Sequence, residues 1–112
     1  MKIYHNPRCR KSREGVQYLT DKKINFEIFD YLKEGVSEDD IKSILKKLNM
    51  SATELVRKNE KIWKDNFKGK ELKEEQIISI LCEEPKLIER PIIVHKNKAV
   101  IGRPKENIDS LL

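Results

Sequence analysis

Residues 2 to 29 confine the fold more than any other stretch of the chain. Lys2 to His5 reads as a short strand, and Asn6-Pro7 ends it, because proline lacks a ladder donor and favours a turn. Helical spacing then runs from about Arg10 to Asp21, with Val16 and Leu19 facing inward. Gly15 is a local weak point of roughly 1 kcal/mol against alanine. Ile24, Phe26 and Ile28 alternate with polar residues, which is strand periodicity. Strand, helix and strand at this spacing make a βαβ unit, so the two strands are expected to be parallel.

Ser37-Glu38-Asp39-Asp40 and Ser51-Ala52-Thr53-Glu54 each have the form of a capping box, and a helix is expected after each. Ile41, Ile44, Leu45 and Leu48 share one face of the first. Trp63 and Phe67 fall in a polar connector and are expected to anchor it to the core. A further helix spans Glu74 to Glu83 and ends at Pro85. Pro91 to Val94 is a short apolar strand, His95 to Lys98 a turn, and Ala99 to Ile101 the return strand. Pro104 suits a first helical turn, and Ile108, Leu111 and Leu112 complete a final helix. The order is βαβ, helices, ββα. This is the thioredoxin-like layout, α/β in class. It has a four-stranded mixed sheet with helices on both faces and a helical insertion over about 37–84. Residues 1–112 are expected to form a single domain.

The net charge of +5 suggests anionic partners. Most lysines alternate with acids, as from Lys70 to Glu75, which suits a solvated surface better than a nucleic-acid groove. Cys9 and Cys82 form no Cys-x-x-Cys pair, and with only His5 and His95 beside them no zinc-ligand spacing can be assembled, so no metal or bound cofactor is expected. No apolar run approaches the ~20 residues of a membrane span. The first residues lack a signal peptide's apolar middle, so a cytoplasmic location with reduced thiols is expected.

The basic residues do cluster at one place. Arg8, Arg10, Lys11 and Arg13 surround Cys9, opposed only by Glu14. Cys9 falls between the first strand and the first helix, where unpaired N–H groups and the positive end of the helix dipole favour thiolate. The basic neighbours, and a hydrogen bond from His5, are expected to lower its pKa further. The same amides suit a tetrahedral anion, and the Ser12 hydroxyl is placed to donate to it. Cys82, beside Leu81 on a helix, is expected to be inert. Arg90 precedes the first hairpin strand and Arg103 follows the second, so both stand at one hairpin end. Two guanidinium forks there give bidentate recognition of an oxyanion.

Ile3-Tyr4-His5-Asn6-Pro7-Arg8-Cys9-Arg10-Lys11-Ser12-Arg13 resembles the active-site signature of the glutaredoxin-dependent arsenate reductase family. Glu54 to Asn59, Leu87 to Val94 and Ile101 to Pro104 resemble its other blocks, so the likeness runs along nearly the whole chain. The resemblance implies a thioredoxin-like fold with a helical insertion and a cis Arg90–Pro91 bond. It implies that Cys9 attacks arsenate while Arg57, Arg90 and Arg103 hold the oxyanion. His5, Arg8, Arg10 and Ser12 are the expected substrate-binding residues, with His5 also lowering the thiol pKa. Glutathione is the implied co-substrate and glutaredoxin the implied protein partner. Arg10 and Lys11 depart from the small residues that the best-studied members carry after the cysteine.

Two other readings stand beside this one. A glutathione-dependent thiol reductase with no arsenate role needs only the single cysteine. A regulator that binds RNA polymerase shares the fold family, but its Cys-x-x-Cys switch is missing here because the fourth position is Ser12.

Overall fold

The computed structural model describes all residues from Met1 to Leu112. The chain divides into two compact units, residues 1–34 with 90–112, and residues 35–89. In the first, β1 (Lys2–Tyr4) pairs in parallel with β2 (Glu27–Phe29), and α1 (Arg10–Asp21) connects them. β3 (Ile92–His95) runs antiparallel to β1, and β4 (Lys98–Ile101) antiparallel to β3. The result is a mixed four-stranded sheet in the order β2-β1-β3-β4. The expected α/β, thioredoxin-like layout is therefore present.

Apolar spacing explains what α1 buries. Leu19 packs with Ile3 of β1, Ile93 of β3, and Ile108 and Leu111 of the C-terminal segment; Val16 and Tyr18 border this cluster. Pro91, at the head of β3, is pinned between two glycines. A Cβ on Gly15 would lie 3.0 Å from Pro91 Cγ, and one on Gly102 would lie 2.8 Å from Ile93 Cδ1 and 3.1 Å from Pro91 Cγ. Gly15 thus gives up helix propensity for a close approach to the strand. The Gly102 N–H donates to the Pro91 carbonyl at 2.8 Å, which extends the hairpin pairing beyond Ile92 and Ile101. Gly102→Ala is expected to cost about 1–3 kcal/mol from overpacking against the rigid proline ring. A thermal melt should show a lower Tm; an unchanged Tm would mean that the segment yields freely.

Several elements differ from expectation. The second strand is shorter, and Ile28 is 51% exposed rather than inward. β2 is an edge strand with one neighbour, so alternation there does not guarantee cover. Tyr31–Glu34 forms a short helix, α2, that no periodicity announces; Tyr31 is buried. His95 and Lys98 are strand residues, leaving Lys96 and Asn97 as the turn, with Lys96 at φ 55°. The final helix is a 3-10 helix, Lys105–Leu111, with Pro104 at its N-cap. Arg90–Pro91 is cis, as the resemblance implied, and Arg103–Pro104 is cis as well.

The second unit is helical. In α3 (Glu38–Leu48) the Ser37 hydroxyl accepts from the Asp40 amide, and the Asp40 carboxylate accepts from Ser37 N–H. The acids of its first turn and the lysines of its last both suit the helix dipole. α4 (Ala52–Leu55) begins at the second capping box, with Ser51 and Glu54. Trp63 lies on a helix, α5 (Lys61–Asn66), where a connector was expected; it is buried and its ring centroid lies 5.5 Å from that of Phe67. α6 (Glu74–Glu83) packs Ile77, Ile78 and Leu81 inward, against α3 and α4. No helix of the chain is long and apolar enough to cross a membrane.

Candidate active site

The loop after β1 is built to present Cys9 at a helix start. Asn6 opens a turn with Pro7 in second position, and the Cys9 N–H donates to the Asn6 carbonyl at 3.0 Å. The Asn6 side-chain oxygen accepts from the Arg8 amide at 3.0 Å. Cys9 is the N-cap of α1, extended at φ −94° and ψ 122°, and its carbonyl accepts from Arg13 N–H at 3.0 Å. The first turn holds Arg10, Lys11 and Arg13 and no acid. Three cations there oppose the helix dipole, an arrangement that a bound anion would relieve.

Beneath the loop lies a buried polar network. Ser12 is fully buried; its hydroxyl oxygen accepts from the Asn6 N–H at 2.9 Å and lies 2.7 Å from His5 Nδ1. The hydroxyl proton is then free to go to Nδ1 of a neutral imidazole. Burial holds the His5 pKa below its ordinary value, the Asp30 carboxylate pulls it back up, and Arg13 and the Ser12 contact act in opposite senses. His5 is therefore neutral at pH 7. It braces the loop through Ser12 and supplies no cationic charge to the thiol. The Ser12 hydroxyl, expected to meet an anion, is committed inside this network.

Burial raises the Cys9 pKa, but a hydrogen bond from the Arg90 guanidinium, the amides of Ser12 and Lys11, and the Arg90 charge outweigh it. The thiol is net lowered. The expectation that Arg8, Arg10 and Arg13 do this needs correction. Arg8 is exposed, Arg10 pairs with Glu14 at 3.5 Å, and Arg13 donates to the Pro7 carbonyl at 2.9 Å. None of the three is a source of the shift; a residue distant in sequence is. Cys82 behaves oppositely: burial raises its pKa, and Glu38, Asp40 and Glu83 add to the rise. Alkylation by iodoacetamide should therefore begin at lower pH for Cys9 than for Cys82, with the Cys9 midpoint below the ~8.5 of a free thiol. Peptide mass spectrometry across a pH series reads both; a common midpoint would contradict this.

Arg90 and Arg103 flank the paired residues Pro91 and Gly102, so they stand at one hairpin end as expected. Arg103 is partly buried, and its carbonyl accepts from the Asn107 side chain at 3.2 Å. Arg57 belongs to the second unit. Its N–H donates to the Leu87 carbonyl at 2.7 Å beside the Val56–Ile88 bridge. Its Nε lies 3.8 Å from Glu60, and its Nη1 is buried with no hydrogen-bond partner. A buried guanidinium nitrogen left in this state is costly unless a ligand or water meets it. No cluster of His, Cys, Asp and Glu that could hold a metal ion occurs. Sequence reasoning missed Asn6 and Asp30. Asn-Pro before a cysteine signals the turn, but nothing local announces that Asp30 sits near His5.

The profile of the ArsC family matches residues 4–111. The chain belongs to the ArsC family. A relative, the arsenate reductase of Haemophilus influenzae, is 37% identical over 98% of this chain and 97% of its own. The protein YfgD of Escherichia coli K12, described as uncharacterized, is 43% identical over 96% of this chain and 92% of its own. A solved arsenate reductase from Vibrio cholerae superposes with a TM-score of 0.94 at 34% identity, covering 100% of this chain and 98% of that one. The relatives named arsenate reductase suggest an oxidoreductase.

Proposed function

We propose that this chain is an arsenate reductase that uses glutathione and glutaredoxin, with Cys9 as its one essential thiol. The observation that carries the reading is the Cys9 thiol, lowered by Arg90 and by the amides of α1. The similarity to proteins named arsenate reductase supports the substrate.

The Cys9 thiolate attacks arsenic, an oxygen of arsenate leaves as water, and an S–As bond forms. Arg90, Arg103 and Arg57 hold the remaining oxygens, which otherwise repel an anionic nucleophile. Arg8 and Arg10 add charge at the rim. His5 acts through Ser12 to keep the loop in place. The glutathione thiol then attacks the Cys9 sulfur. As the S–S bond forms, the pair of electrons of the S–As bond passes to arsenic, reducing As(V) to As(III), and arsenite departs. Two thiols lose two electrons and arsenic gains two. Glutaredoxin resolves the Cys9–glutathione disulfide by thiol exchange. The whole chain works as one functional domain in the cytoplasm, with no resident cofactor, nucleic acid or membrane partner.

A single-turnover experiment tests this. Arsenate and glutathione without glutaredoxin should yield one arsenite per chain and glutathione on Cys9, read by mass spectrometry. Glutathionylation of Cys9 by glutathione disulfide, with arsenate neither needed nor reduced to arsenite, would favour the plain thiol reductase.

A further inference from the structure

The helical unit of residues 35–89 holds a cavity of about 320 Å³ with no part in the chemistry above. Its floor is apolar, made by Trp63, Leu72 and Ile77. Its rim carries Lys58, Lys68 and Lys70, and no acid lines it. Three carboxylates of this unit are engaged elsewhere. Asp65 pairs with Lys61, Glu74 accepts from the Ala52 amide at 2.8 Å, and Glu60 lies 3.8 Å from Arg57. The three rim lysines form no ion pair, and Lys70 only approaches the Phe67 ring, at 6.0 Å. Three exposed like charges around apolar surface repel one another and are relieved by an anionic partner.

We infer that this cavity docks an acidic peptide segment of a protein partner, one that presents a single apolar side chain flanked by carboxylates. The lining favours that occupant over a small inorganic anion. Lysines on flexible stems are point charges without a bidentate fork, and no arginine lines the cavity. An apolar floor ringed by separated ammonium groups matches an apolar anchor ringed by carboxylates, with the aromatic floor as the dominant contact.

Trp63 is the chain's single tryptophan, so its fluorescence reports directly on the floor. The probe is a blocked Glu-Glu-Leu-Asp-Glu peptide titrated at low and at high salt. A saturable change in Trp63 emission is expected, weakened by salt because exposed charges are screened within about 10 Å at 0.1 M. The Gln/Asn version and the version with serine for leucine should each bind at least tenfold more weakly. So should the peptide with a K58S/K68S/K70S variant, whose exposed positions leave the fold intact by circular dichroism. No saturable change would overturn the inference. So would equal binding to the triple variant, or citrate or inorganic phosphate binding as tightly as the peptide. The titration contains neither arsenate nor thiol, so it stands apart from the reductase reading.

Discussion

Cys9→Ser is expected to abolish arsenate turnover, whereas Cys82→Ser keeps most of it. A serine hydroxyl is not ionised near neutral pH and cannot form the disulfide that the proposed reaction requires. Cys9 has its thiolate favoured by Arg90 and two amides, against the opposing pull of burial. Cys82 lies on α6, with burial and three carboxylates pushing its pKa up, which makes it a poor nucleophile at pH 7. Arsenite release by each variant decides the matter. Retention of turnover by the Cys9 variant, or its loss with Cys82→Ser, would contradict the assignment.

Arg90→Ala should cost ~10²-fold or more in kcat/KM, as loss of a charged oxyanion contact typically does. It should also do something that Arg103→Ala does not. Arg90 both hydrogen-bonds the thiol and lowers its pKa by charge, while Arg103 is not among the sources of that shift. Removing Arg90 therefore raises the Cys9 pKa, and the rise of kcat/KM with pH moves to more alkaline values. Arg103→Ala lowers the rate with the profile in place. Arg90→Lys restores part of the rate, because a point charge replaces the fork. A pH series on the three variants separates these outcomes; an unmoved profile in Arg90→Ala would refute the pairing of Arg90 with Cys9.

The fold was legible where a pattern was long or punctuated. α1 and α6 have the bounds that spacing, Asn-Pro and Pro85 implied, and α3 starts at its capping box. The hairpin could be read from two apolar runs and its turn. What escaped was short or set by tertiary context. α5 has six residues and buries only Trp63, too little for a period to emerge. Ile28 follows an inward alternation but sits on an edge. At the site, the strand-to-helix position of Cys9 followed from sequence, and so did the common hairpin end of Arg90 and Arg103. The source of the thiol's charge did not. Proximity in sequence favoured Arg8, Arg10 and Arg13, but a residue at the start of a helix points its side chain by local geometry, and these three turn to solvent, to Glu14 or to the loop. Arg90 reaches Cys9 because β3 lies beside β1, a pairing that only the sheet supplies.

The most direct test is the coupled assay itself. Wild-type protein with glutathione, glutaredoxin, glutathione reductase and NADPH should consume NADPH only when arsenate is added. Arsenite should accumulate in step with it, and thioredoxin should substitute poorly for glutaredoxin. If no arsenate-dependent NADPH consumption occurs while Cys9, treated separately with glutathione disulfide, still forms the glutathione mixed disulfide, the arsenate reductase account is wrong and the thiol-reductase reading takes its place.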